Sequence, residues 1–328
     1  MPLPLLESVP NISVGRDVAT VDAIVAEVRA GIERGAATDG TRCVLADVHR
    51  DSDHDRSVLT LVGRGAALEE GLLALARACV EQLDLHAGHG VHPRVGVLDV
   101  LPVVALEDGD GAAAAAHALV DRVGASIGRE LGVPVVRYAL GRDGERIPGA
   151  GSTGEVRRGG PATVSERIAS GELERIAGPA DPHPTAGVTI AGVRPVLVAF
   201  NVDLDVDDLD AARAIAGRIR EAAGGDDALP GVRALGLRLA SRGVAQVSTN
   251  VERHRECGPA RVLQAVARIA AEVGEERGTP IGVSAAELVG LAPDSALGPL
   301  RYACSGLGVP LLASATPALG AAIAAVPG

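Results

Sequence analysis

Apolar residues along the chain recur at helical intervals in some stretches and crowd into short runs between them. Val18, Val21, Ile24, Val25, Val28 and Ile32 return every three or four positions, which predicts an amphipathic helix over about 17–33. AALEEGLLALARACVEQL predicts a second helix over 66–83, and AAAAAHALVDRVGASIGREL a third over 112–131, closed by Gly132 near its C-cap. The short runs LLESVPNIS (5–13), RCVLADVHR (42–50), RSVLTLVG (56–63), VGVLDVLPVVAL (95–106) and VPVVRYAL (133–140) read as strands. Pro102 has no N–H for a ladder and marks an edge or a bend in the fourth of them.

Residues 141–187 are rich in Gly, Pro and Ser and read as a connector with one short helix, about 163–176. The alternation then starts again. GVTIAGVRPVLVAFNVDL (187–204) predicts a hairpin turning near Gly192, and DVDDLDAARAIAGRIREAAG (205–224) a helix whose acidic start suits its dipole. VRALGLRLASRGVAQVSTNV (232–251) predicts a second hairpin turning at SRG, followed by a helix over about 258–276 and a shorter one near 284–290. Strand-helix-strand-strand-helix occurs in both halves. The expected class is α+β: two similar ferredoxin-like αβ subdomains, 1–180 and 181–328, with facing sheets and a groove between them.

A length of 328 residues agrees with roughly two domains of ~150 residues. The chain is 47% hydrophobic, but no apolar run approaches the ~20 residues of a membrane span. MPLPLLESVPNIS has neither a basic n-region nor a small-residue cleavage site, so no signal peptide is expected. Cys43, Cys79, Cys257 and Cys304 lie far apart, as buried thiols of a reducing, cytoplasmic protein would.

All 31 basic residues are arginine, which excludes a lysine Schiff base and a Walker A lysine. A net charge of −11 argues against nucleic acid as a partner. Phe200, Tyr138 and Tyr302 are the only aromatics, too few to stack bases. Guanidinium groups remain well suited to gripping carboxylates.

Candidate chemistry gathers in HAGHGVHPRVGVLDV (86–100), where His86, His89 and His92 fall within seven positions of a chain with 8 histidines. Three readings stand side by side: a zinc site, a structural cluster, and a general acid/base beside the anion-binding Arg94. Gly88, Gly90 and Pro93 prevent a helix that would stack the rings, and no HExxH frame is present. GAGSTG (149–154) matches GxGxxG but follows no strand and opens no helix, so it reads as a loop. HRDSDHDRS (49–57) reads as an Asx-rich turn or a polar wall for a cationic group. GPADPHPTAG (178–187) reads as a stiff extended segment whose glycines allow close backbone approach, or as a linker. AQVSTN (245–250) ends an apolar strand in hydrogen-bonding residues.

In order, VPNIS (9–13), DRSVLTLVG (55–63), GHGVHPRVGVLDV (88–100), ELGVPV (130–135), GPADPHPTAG, LVAFNV (197–202), AQVSTN and ELVGL (287–291) resemble the formiminotransferase domain of the glutamate formimidoyltransferase family. The matches run over essentially the whole chain. The resemblance implies transfer of a formimino group between N-formimino-L-glutamate and tetrahydrofolate, in histidine degradation. It also implies folate held between two subdomains, a homodimer and no metal; nucleic acid and membrane are not expected as partners. The catalytic histidine of the HPR motif is His92 here, an imidazole titrating near neutrality.

Beside it, the chemistry predicts that His89 orients or shares that proton, that Arg56 and Arg94 receive substrate carboxylates, and that Asp51 or Asp53 holds the cationic amidine. The folate-contacting stretch maps to Gly178, Pro179, His183, Pro184, Thr185, Ala186 and Gly187, and a second to Arg233 and Gly236. Several positions depart from the family pattern: Ser8, His49, Asp55, Val91 and Ala186 stand where Cys, Asp, Asn, an acid and an aromatic are common. They leave open a folate-binding paralogue with another formimino or formyl donor, or with no turnover. The chain ends before the cyclodeaminase of bifunctional relatives, so a monofunctional form is expected.

Overall fold

The structure, a computed structural model, describes residues 3–88 and 90–326. Two compact units divide the chain: described residues up to Pro195 together with those from Ala322 onward, and Val196–Ala321.

In the first unit, β1 (Leu6–Ser8) and β2 (Asn11–Ile12) lead into α1 (Val18–Asp39), then β3 (Cys43–Asp51), β4 (Arg56–Gly63), α2 (Gly65–Gln82) and β5 (Leu98–Ala105). α3 (Asp110–Glu130), β6 (Val135–Ala139), the one-turn α4 (Thr153–Val156), α5 (Gly160–Ala169), β7 (Arg175–Ala177) and β8 (Thr189–Val193) complete it. The strands lie in the order β3, β4, β1 with β2, β5, β8, β6, β7. Only β8 runs parallel to its two neighbours. Val21, Ile24 and Val28 of α1 and Leu68, Leu72 and Leu75 of α2 share one core with Leu59 and Leu61 of β4.

The first strand is broken at Val9–Pro10, and Pro102 lies opposite the break in an interior strand, not at an edge. Val9 N–H and Ser8 Oγ both donate to the Pro102 carbonyl, at 3.4 and 2.7 Å. Asn11 Nδ2 donates to the Val9 carbonyl at 3.0 Å, the acceptor that a proline facing it leaves without a ladder donor. A side-chain amide thus stands in for the missing backbone N–H.

The hairpin expected over 187–204 does not form. β8 and β9 (Val198–Leu204) belong to different units, and residues 181–195 pack with the first. Gly192 is not a turn but a point of close approach: a Cβ there would lie 2.0 Å from the Tyr138 carbonyl oxygen of β6. Its missing side chain lets β8 slot between β5 and β6. Gly192→Ala should therefore cost about 1–3 kcal/mol, as overpacking does. Equilibrium denaturation should show a lower midpoint at unchanged slope; an unchanged midpoint would contradict this role.

The second unit continues from β9 through α6 (Leu209–Ile219), β10 (Val232–Leu239), β11 (Val244–Val251), α7 (Pro259–Arg277), β12 (Val283–Val289), α8 (Asp294–Leu307) and β13 (Leu311–Leu312). Its order is β10, β11, β9, β12, β13, antiparallel except for the last pair. The shorter helix expected near 284–290 is β12. Ala-Ala-Glu-Leu favours helix locally, but pairing with β9 and the burial of Ala286 and Leu288 in the core override that preference. The two units share strand-helix-hairpin-helix-strand, with the same neighbour order: β3, β4, β1 with β2, β5 in one, and β10, β11, β9, β12 in the other.

Candidate functional site

The turn between β3 and β4 is built by its own carboxylates. Asp51 Oδ1 accepts the N–H groups of Asp53 (2.8 Å) and His54 (2.7 Å), and Asp55 Oδ1 accepts those of Gly15 (3.0 Å) and Arg16 (3.2 Å). Asp55 takes a left-handed backbone, φ 45°, which asparagine and aspartate tolerate best among side-chain-bearing residues. Such a turn presents carbonyls outward, and the loop after α2 docks on them. Val91 N–H donates to the Asp53 carbonyl at 3.1 Å, and Arg94 Nη1 to that of Asp55 at 3.3 Å. Gly90 passes so close to the His54 carbonyl that a Cβ would sit 1.9 Å from its oxygen.

This docking places His92 between β4 and its own loop. His92 Nδ1 lies 2.8 Å from the Pro93 carbonyl oxygen, which can only accept, so Nδ1 carries the proton. Nε2 lies 3.1 Å from Arg56 Nη1, which can only donate, so Nε2 holds the lone pair. The two contacts together require the neutral ring. Burial, then the guanidiniums of Arg56 and Arg157, then the His54 ring hold its pKa well below the ordinary imidazole range, against the pull of the Pro93 carbonyl. The buried His54 ring lies 5.7 Å from that of His92, tilted 35° to it. The expected titration near neutrality is corrected downward for that reason.

Behind the loop, the buried Asp99 carboxylate accepts the N–H groups of Val95 (2.7 Å) and Gly96 (3.3 Å) through Oδ1 and pairs with Arg157 through Oδ2. Arg157 follows α4, a helix in a stretch whose sequence predicts a loop. Ser152 caps that helix, with Glu155 closing the capping box. GAGSTG thus does open a helix, though of a single turn.

The segment 178–187 is less extended than its prolines suggest. His183 and Gly187 exchange backbone hydrogen bonds at 2.9 Å in both directions, and His183 Nδ1 accepts the Ala186 N–H at 3.0 Å. The turn docks on the loop that carries His92: Leu85 N–H donates to Thr185 O at 2.8 Å, and Val97 N–H to Ala186 O at 2.9 Å. His86 Nε2 reaches the Pro184 carbonyl at 3.0 Å. A Cβ on Gly187 would sit 2.2 Å from the Val95 oxygen, so the close approach this glycine permits is to the chain's own backbone. Ala186 and Gly187 are buried; Pro179 and Pro184 are exposed, with His183 and Thr185 half-buried.

Of the residues singled out in the sequence, Asp51, Asp53, Arg56, His92 and Arg94 come together around one loop, with Pro184 and Thr185 beside it. His89 lies outside the described residues. Among those residues, no group of three or more His, Cys, Asp or Glu side chains is set to hold a metal ion, and His86 is turned toward Pro184. Arg233 and Gly236 belong to the second unit. Arg233 pairs with Glu252 at 2.8 Å, while Gly236 abuts α6, where a Cβ would lie 2.3 Å from Arg213 N. Gly236 is therefore a packing residue. His54 and Arg157, which act on His92, and Asp99, which holds Arg157, are not among the site residues the sequence singles out. Asp99 was visible as a charged residue inside an apolar strand; Arg157 gave no signal.

Residues 5–194 match the model of the formiminotransferase domain, N-terminal subdomain, and residues 199–301 that of the formiminotransferase domain. The chain belongs to the formiminotransferase family. It is 33% identical over 293 residues to the glutamate formimidoyltransferase of Streptococcus pyogenes serotype M1, covering 89% of this chain and 90% of the relative. It is 31% identical over 295 residues to the glutamate formimidoyltransferase of Thermoplasma acidophilum, covering 89% of each. The formimidoyltransferase-cyclodeaminase of Sus scrofa is 35% identical over 298 residues, which span 89% of this chain but 51% of that protein. The HPR loop and the β3–β4 turn both lie in the part matched to the N-terminal subdomain.

Proposed function

We propose that the protein transfers a formimino group between N-formimino-L-glutamate and tetrahydrofolate, giving 5-formiminotetrahydrofolate and glutamate, a step of histidine degradation. Similarity to glutamate formimidoyltransferases over about nine-tenths of each chain supports the substrates. The observation that carries the mechanism is the neutral His92 ring, fixed as its Nδ1–H tautomer with the lone pair on Nε2.

In the forward direction N5 of tetrahydrofolate attacks the amidine carbon, forming a C–N bond and a tetrahedral intermediate. His92 Nε2 exchanges the Arg56 donor for the N5 proton, then returns a proton to the glutamate nitrogen as its bond to carbon breaks. A depressed pKa makes the imidazolium a strong acid toward that leaving amine. Arg56 and Arg94 receive carboxylates, Asp51 or Asp53 faces the amidinium, and His89 orients or shares the proton that His92 carries. Pro179, His183, Pro184 and Thr185 contact the folate, supported from behind by Gly178, Ala186 and Gly187, with Arg233 a further contact. The same proposal includes two ferredoxin-like subdomains, which the shared strand order supports, a homodimer, a cytoplasmic setting and no metal requirement.

Purified protein mixed with tetrahydrofolate and N-formimino-L-glutamate should release glutamate; no release with both substrates present would refute the assignment. The pH profile of turnover adds a sharper test. The lone pair is present above the depressed pKa and lost as pH falls through it. The acid limb should therefore have its midpoint below 6.5, the ordinary histidine value. A midpoint at or above that value would contradict the site described.

A further inference from the structure

Three of the stretches that carry the resemblance, LVAFNV, AQVSTN and ELVGL, converge on one sheet of the second unit. Phe200, Val202, Ala245, Val247, Ala286 and Leu288 point into the core shared with α6 and α7. Strand alternation puts Asn201, Asp203, Gln246 and Glu287 on the opposite face, where register pairs Gln246 with Asp203 and Asn201 with Glu287. All four are buried. Asn201 Nδ2 donates to Glu287 Oε2 at 3.0 Å; Gln246 Nε2 donates to Asp203 Oδ1 at 2.8 Å and to Glu287 Oε2 at 3.3 Å.

Two features set this network apart from a closed structural one. Gln246 Oε1 is buried and accepts no hydrogen bond from the described residues. Its Nε2 is committed to two carboxylates, so the amide cannot be flipped to cure this, and a buried acceptor left so is costly. The second feature is Arg242, in the exposed turn between β10 and β11. It reaches back so that Nη1 lies 2.9 Å from Asp203 Oδ2 and Nη2 lies 3.5 Å from Glu287 Oε2. One planar N–C–N cation therefore bridges two carboxylates of neighbouring strands. The bridging cation thus reaches two buried carboxylates from an exposed turn, beside an amide oxygen that accepts nothing from the described residues.

We infer that Asp203, Glu287 and Gln246 form a receptor for a planar amidinium-type cation, whose place the Arg242 guanidinium holds when no ligand is bound. A ligand N–C–N group would take both carboxylates as Arg242 does and give Gln246 Oε1 the N–H it lacks. Formiminoglutamate carries such a group, as does any free amidine or guanidine, and it would be held here apart from the transfer site, where Asp51 or Asp53 faces its amidinium. The first source rests on the proposed function; the receptor itself does not.

The test uses thermal shift and calorimetry on the intact chain, with formamidinium, N-formimino-L-glutamate, and N-acetyl-L-glutamate as the control without an amidine. Arg242→Ala removes the internal competitor, so formamidinium should stabilise that variant at about tenfold or more lower concentration than the wild type. Adding Gln246→Leu or Glu287→Gln to Arg242→Ala should abolish the shift. If Arg242→Ala does not fold, Arg242→Gln, neutral and still a donor, serves in its place. No stabilisation of either Arg242 variant by formamidinium overturns the receptor, whatever the turnover. Stabilisation by formamidinium but not by N-formimino-L-glutamate keeps the receptor and assigns it to another amidine or guanidine. A response to N-acetyl-L-glutamate equal to that of N-formimino-L-glutamate overturns amidinium recognition.

Discussion

His92→Ala lowers turnover by about 10²–10⁴-fold, the usual worth of a positioned proton carrier, while tetrahydrofolate binding is retained. The expectation rests on where the two ring nitrogens are tied. Nδ1 is anchored to a backbone carbonyl one residue away, which fixes the ring plane, and Nε2 is the only ring atom able to accept a proton. Pro179, His183, Pro184 and Thr185, the proposed folate contacts, owe their shape to the 183–187 turn and its backbone bonds to Leu85 and Val97, none of which the substitution touches. Loss should therefore fall on kcat, not on affinity for the folate. Steady-state kinetics beside fluorescence or calorimetric titration of tetrahydrofolate would check it. Equal loss in binding and turnover would make His92 a structural residue, and unchanged turnover would remove it from the mechanism.

Much of the secondary structure was legible because it depends on local spacing. Val21, Ile24 and Val28 could face a core only on a helix, and the β10–β11 hairpin was marked by its SRG turn. The HPR loop stood out for a chemical reason, three titrating rings in a stretch too broken by Gly and Pro to be a helix. What failed was what other segments decide. Gly192 looks like a turn residue in one dimension, but the atom it makes room for belongs to Tyr138, and nothing local says that the backbone Gly187 approaches is that of Val95. The strand at Val283–Val289 has helix-favouring composition, and pairing with β9 and β13 makes it a strand. Arg157 lies 58 residues from Asp99 in a connector with no periodicity, so nothing local could join it to His92.

The same long-range contact sets the second large expectation: Arg157→Met destabilises the first unit by about 3–5 kcal/mol, the cost of breaking a buried ion pair from one side. The Asp99 side chain is 2% exposed and that of Arg157 10%, so the substitution leaves a carboxylate in the interior with, among the described residues, the Val95 and Gly96 N–H groups to answer it. Replacing both partners by neutral amides, Asp99→Asn with Arg157→Gln, removes the isolated charge and should recover most of the loss. Buried Tyr138 lies in the first unit and Tyr302 in the second, and the chain has no tryptophan. In a Tyr302→Phe background tyrosine fluorescence therefore follows the first unit alone through urea unfolding. If Arg157→Met unfolds at the parent midpoint, the pair contributes nothing to the fold. If the double variant is no better than the single one, something other than the stranded carboxylate is responsible.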